Sequence, residues 1–214
     1  MTGSSSRLPQ RSHARSNRAR ILAAAREELS RNPDASLDEI ARAAGVVRRT
    51  LYGHFPNRQA LIDALAAEAR ASLQEAYTAA RRPGAGPAMD LARLVLASWA
   101  VGDRYRMLIS LAHRDLGEEG IRATLAPVRA EAAAIIGHGQ EDGTFASHLP
   151  APVLALATES LAVALLESQA STGWTDPSGE AGAVAVLIAA GVEPASARRY
   201  VRAVLSEGDQ HAAT

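Results

Sequence analysis

The stretch Ser36–Leu61, "SLDEIARAAGVVRRTLYGHFPNRQAL", decides the fold. Leu37, Ile40, Ala41 and Ala44 fall at i, i+3, i+4 and i+7, which lines one face of a short helix. Ser36 stands just before that helix with Glu39 three residues on, the pattern of a capping box. Gly45 follows the last periodic position, where a left-handed turn suits a residue without Cβ. A further helix over Val47–His54 points Val47, Leu51 and Phe55 inward at steps of four, and Pro56 ends it. Ala41 lets the two helices cross closely, Gly45 makes the turn between them, and Leu51 plugs the angle. Those are the requirements of a helix-turn-helix, whose second helix enters the major groove of DNA.

Helical phase then puts Arg48, Arg49 and Tyr52 outward or at the edge. A guanidinium fork bonds bidentately to guanine O6 and N7, so Arg48 and Arg49 are the candidate base readers. Thr50, Tyr52 and His54 offer hydroxyls and an imidazole at the rim, suited to phosphate oxygens. Ser36 at one helix start, and Asn57 with Arg58 at another, add backbone N–H groups facing phosphate. The bland alternative, a solvated basic face on an ordinary hairpin, does not account for turn spacing, charge and polar rim occurring together.

Working outward, residues 1–16 are rich in Ser and Arg without an apolar period, and are expected to be a flexible basic arm. Arg7, Arg11, Arg15 and Arg18 give it diffuse attraction for DNA or a minor-groove contact. Ile21, Leu22, Ala25 and Leu29 mark a helix that "RNPDAS" stops. A longer helix from Asn57 to about Arg81 follows the quoted stretch, and "RRPGAGP" (Arg81–Pro87) is the clearest break. Beyond it the pattern predicts helices near 88–101, 104–116, 118–137, 151–171, 181–190 and 194–205, with loops at 137–150 and at "TGWTDPSGE". No sustained apolar–polar alternation suggests a strand. The expected class is therefore all-α: an N-terminal three-helix helix-turn-helix domain (17–64) joined by a fourth helix to a helical C-terminal domain (65–214).

The zero net charge of the 214 residues hides an asymmetry. Residues 1–60 carry 11 arginines against 5 acids, and residues 61–214 carry 12 against 18, so +6 sits on −6. A basic first quarter points to an anionic partner at one end only. The chain has no cysteine, which excludes disulfides and thiolate chemistry and fits a cytoplasmic setting. The run "VAVLIAAGV" (Val184–Val192) is too short to span a bilayer, and no membrane partner is expected.

"LDEIARAAGVVRRTLYGHFPNRQALI" resembles the DNA-binding segment of the tetracycline-repressor (TetR) family of bacterial transcriptional regulators, most specifically in "TLYGHF" followed by "PNRQAL". The motif covers residues 18–65; the remainder is similar in length and layout, including "GQEDGTF" before a long apolar helix. One departure is Val47, where the family commonly has serine or threonine. The resemblance implies a homodimer on a pseudo-palindromic, double-stranded operator, released by a small-molecule effector bound in the C-terminal domain. It also implies a four-helix dimer bundle from the last two large helices, 151–171 and 181–205. Leu154, Leu161, Leu165, Leu166, Val184, Val186 and Leu187 give those helices more apolar surface than one stripe requires.

Trp99, Tyr105, Met107, His113, Phe145 and Trp174 are the bulky or polarisable candidates for an effector pocket. No GxSxG elbow, P-loop or HExxH motif occurs, so no enzyme is expected. His138 and His148, with Glu141 and Asp142 between them, lack a ligand pair at helical spacing, so neither metal nor cofactor is expected. A sensor of the same fold that no longer grips DNA is the alternative, with Val47 its only support.

Overall fold

The computed structural model describes residues 7–82, 84–111, 115 and 117–212, and their side chains except at 7–15, 107, 110, 118, 170 and 209–212. These residues form helices and no strand: α1 Arg7–Arg31, α2 Leu37–Ala43, α3 Arg48–His54, α4 Arg58–Ala80, α5 Pro87–Arg104, α6 Arg106–Leu111, α7 Gly117–Glu141, α8 Ala151–Ser171, α9 Glu180–Ala189 and α10 Pro194–Ala212. Two compact units result. One gathers the described residues up to Glu68 with those of Met107–Gly120; the other gathers Ala69–Arg106 with those from Ile121 on. The all-α expectation is met.

In the first unit α1 packs on α2 and α3, and α2 on α3. Its core holds most of the positions that the periodicity picked out, namely Ile21, Leu22, Ala25 and Leu29, then Ile40, Ala41 and Ala44, then Leu51 and Phe55, all buried together with Leu61 and Leu65, whereas Leu37 is only half-buried. Leu108 and Leu111 are buried in the same unit. Helix α1 begins at Arg7, well inside the segment expected as an arm. The reason is local: no glycine interrupts that run, and Pro9 falls in the first turn, where its missing N–H costs nothing. A helix start without an apolar stripe gives periodicity nothing to detect. The remainder of the expected arm, residues 1–6, and the side chains of Arg7, Arg11 and Arg15 lie outside the described residues.

In the second unit α5 packs on α9 and α10, and α8 on α9 and α5. The core runs through Leu91, Leu94, Ile136, Leu154, Val186, Leu187 and Val201. Helix α7 continues to Glu141, through Gly137 and Gly139, which the sequence reading assigned to a loop. Gly139 serves close packing here: a Cβ there would stand 2.1 Å from Phe145 Cδ2. The loop therefore starts only after Glu141. Helix α8 contains a nineteen-residue stretch, Ala151–Gln169, that is long and apolar enough to cross a bilayer by composition alone, contrary to the sequence reading. Glu159 within it is paired with Arg129 of α7 at 3.0 and 2.7 Å.

Candidate nucleic-acid interface

The turn between α2 and α3 is built from the backbone outward. Gly45 has φ +63, its N–H donates to Arg42 O (3.1 Å), and Val46 N–H donates to Ala41 O (3.0 Å). This six-to-one and five-to-two pair is a Schellman closure, and it satisfies carbonyls that a helix end leaves open. Arg20 of α1 completes it by donating Nη2 to Ala44 O (3.1 Å) and Gly45 O (3.0 Å). Sequence reasoning missed Arg20, because nothing in its neighbourhood marks a contact 24 residues away.

At the other end of α2 the capping box is present. Ser36 Oγ accepts from Glu39 N–H (3.2 Å) and donates to Glu39 Oε2 (2.7 Å), while Ser36 N–H donates to the same oxygen (2.7 Å). The backbone N–H of Ser36, and then its hydroxyl, hold the Glu39 carboxyl below its ordinary value.

Helix α3 presents Arg48, Arg49, Tyr52 and Gly53 to solvent and buries Leu51 completely. The two arginines are not equivalent. Arg48 Nη1 lies 3.0 Å from Asp38 Oδ2 of α2, and its guanidinium sits 5.2 Å over the Tyr52 ring. Arg49 has neither an ion pair nor a hydrogen bond among the described residues. Thr50 and His54 are half-buried at the edge, with the His54 ring tilted toward Phe55 at 6.3 Å. The Arg18 guanidinium lies over the Phe55 ring, 5.3 Å from its centroid. Outside its chain neighbours and own helix backbone, Gly53 has no described protein atom within 4 Å of where a Cβ would be, so packing does not require glycine there.

One expectation changes. Val47 does not point inward: it is 69% exposed and forms the N-cap of α3 at φ −73, ψ 149, with no side-chain cap bond. An N-cap residue is extended, so a step-of-four projection back from Leu51 fails there. The Arg58 guanidinium donates to Ala35 O (2.8 Å) and Pro33 O (2.5 Å) and pairs with Asp115 Oδ1 (3.4 Å). It ties down the turn before α2, leaving only its backbone N–H for an external anion. Asn57 likewise caps α4, its Oδ1 accepting from Ala60 N–H at 2.8 Å.

The effector candidates lie in less suggestive settings. Trp99 is buried against the backbone at Gly179 and Gly182, where any Cβ would come within 2.8 Å of the indole. Its Nε1 donates to Asp176 O (2.8 Å), and Asp176 Oδ2 accepts from Gly182 N–H (2.8 Å). Phe145 packs on Gly139 instead, Tyr105 is buried, and Trp174 is half-buried in the α8–α9 loop. His113 and the Met107 side chain lie outside the described residues. Beside Trp99, Ser98 Oγ is buried without a hydrogen-bond partner among the described residues, as is Nε2 of Gln169, whose Oε1 accepts from Asp176 N–H at 3.2 Å. Composition gave no reason to choose either of these polar groups.

Residues 21–65 match the family described as bacterial regulatory proteins, tetR family. No curated protein matches the sequence. Among solved structures the chain is similar to RolR in complex with resorcinol (TM-score 0.60, 21% identity, covering 89% of this chain and 95% of that one). It is similar also to the transcriptional regulator FadR from Bacillus subtilis in complex with stearoyl-CoA (TM-score 0.69, 15% identity, covering 81% and 97%). A third is NalD, the secondary repressor of the MexAB-OprM multidrug efflux pump in Pseudomonas aeruginosa (TM-score 0.61, 20% identity, covering 78% and 92%).

Proposed function

We propose that the chain, whose residues 21–65 match the tetR family of bacterial regulatory proteins, is a ligand-responsive repressor. It binds a pseudo-palindromic operator as a homodimer and lets go when a small molecule occupies its second unit. The observation that carries the reading is the exposed face of α3, where the Arg49 guanidinium has no partner among the described residues, beside an Arg48 paired with Asp38 and stacked on Tyr52. Arg49 is assigned to a base edge. Thr50, Tyr52 and His54 are assigned to the flanking phosphates, along with the first N–H groups of α4 next to Asn57. Ser36 contributes through its place at the start of α2. The bare Cα of Gly53, one turn beyond Arg49, leaves room for close approach of the duplex.

The dimer is assigned to α8 with α9 and α10. Val153 and Leu156 are each 47% exposed on α8, and Ile188 is 39% exposed on α9. Large apolar groups gathered on two packed helices are what a partner copy covers. The effector site is assigned to the second unit around Ser98, Trp99 and Gln169, where Ser98 Oγ and Gln169 Nε2 are buried without partners among the described residues and can meet polar groups of a ligand. The similar RolR and FadR structures hold resorcinol and stearoyl-CoA, which supports a small-molecule effector without choosing the molecule. A cytoplasmic setting follows from operator binding, and no catalytic role is assigned.

A gel-shift titration against salt tests the electrostatic part. With about eight phosphate contacts per dimer, the slope of log K against log salt is expected at about −7. A flat response removes DNA binding from the account.

A further inference from the structure

We propose that Val47 is a specificity-determining residue whose side chain contacts the 5-methyl group of a thymine in the major groove. The inference rests on the DNA-reading function above and adds a contact that the arginines do not make.

Among the described large hydrophobic residues exposed to solvent, Val47 is the most exposed, at 69%. It stands immediately before Arg48 and Arg49, at the start of the helix assigned to the groove. The position favours serine, threonine, aspartate or asparagine, each of which would bond to a free N–H of the first turn; valine makes no such bond. Nor does it serve the core, since Leu51 and Phe55 fill that role at 0% and 2% exposure. A side chain that neither caps nor packs is free to meet a partner, and the arginines beside it make that partner anionic. The apolar feature that a duplex offers in its major groove is the thymine C5-methyl. Helix-turn-helix proteins bring the first residues of the second helix to base edges, which puts Val47 in reach. A β-branched chain is stiff at χ1, so its methyl groups meet the base with little conformational freedom to lose.

The test uses the full chain and an operator selected from random DNA by the purified wild-type protein. Each thymine is replaced singly by deoxyuridine, which removes the methyl group alone. At one thymine per half-site, wild type is expected to bind about fourfold more weakly, the worth of one methyl group taken from water. Val47→Ser, which keeps the fold because the side chain is exposed, is expected to lose that thymine–uracil difference and keep its other base preferences. Comparing 5-methylcytosine with cytosine at the same position separates the methyl group from the rest of the base, and a gain on methylation supports the contact. Absence of any thymine–uracil difference overturns the inference, as does a difference that survives in Val47→Ser. Recovery of no preferred sequence by wild type overturns the DNA-reading function itself, and this inference with it.

Discussion

At the scale of single residues, the two arginines of α3 look alike in sequence and differ in structure. Asp38 and the Tyr52 ring hold Arg48, so part of its charge is already answered within the protein. Arg49 has no such partner among the described residues. Arg49→Ala is therefore expected to weaken operator binding by ~1–3 kcal/mol and to relax the choice at one base pair. Arg48→Ala is expected to cost less and to leave base preference intact. Binding to the operator and to variants at each position, measured by fluorescence anisotropy, checks this; equal loss on random DNA for Arg49→Ala contradicts a base-reading role. Ser36, Gly45 and Leu51 were legible in the sequence because their tasks are written in spacing and local chemistry. Arg20 and Arg58 were not, since each acts on carbonyls more than twenty residues away. Val47 was misread because the rule applied to it belongs to helix interiors.

At the scale of elements, the short α2 depends on its ends more than its length, having seven residues and a capped terminus at each side. Ser36→Ala is expected to destabilise the protein by ~1 kcal/mol at neutral pH. Part of that contribution titrates. The Glu39 carboxyl is lowered from 4.5 by the Ser36 backbone N–H and then its hydroxyl, so its stabilisation is present above pH 4.5 and is lost as pH falls through the lowered value. The gap between wild type and Ser36→Ala is thus expected to narrow in acid, as followed by urea unfolding at several pH values; a gap that widens contradicts the assignment. Element boundaries show the same division between local and distant causes. The core stripe of α1 was plain, but its start at Arg7 was hidden by the absence of apolar residues. The end of α7 was hidden because Gly139 resembles a breaker until Phe145 is seen against it.

At the scale of the whole molecule, the charge asymmetry and the helix-turn-helix were legible in the sequence, whereas of the polar groups at the proposed effector site only Trp99 was singled out and Ser98 and Gln169 were not. Apolar packing and ligand binding draw on the same residue types, and Trp99 and Phe145 turn out to press on glycines of their own chain. The exposed apolar face of α8 makes assembly testable. Leu156→Glu puts a charge on a surface that the monomer leaves 47% exposed, so the fold is expected to persist while the dimer weakens. Sedimentation equilibrium reads this directly, and a variant that stays dimeric places the interface elsewhere. The central claim, that the outward face of α3 reads bases in a symmetric pair, is tested most directly by selecting bound sequences from random double-stranded DNA with the purified protein. An inverted repeat is expected, with half-sites one turn of duplex apart, ~34–36 Å, or a multiple of it; an unenriched pool, or a single asymmetric site, contradicts it.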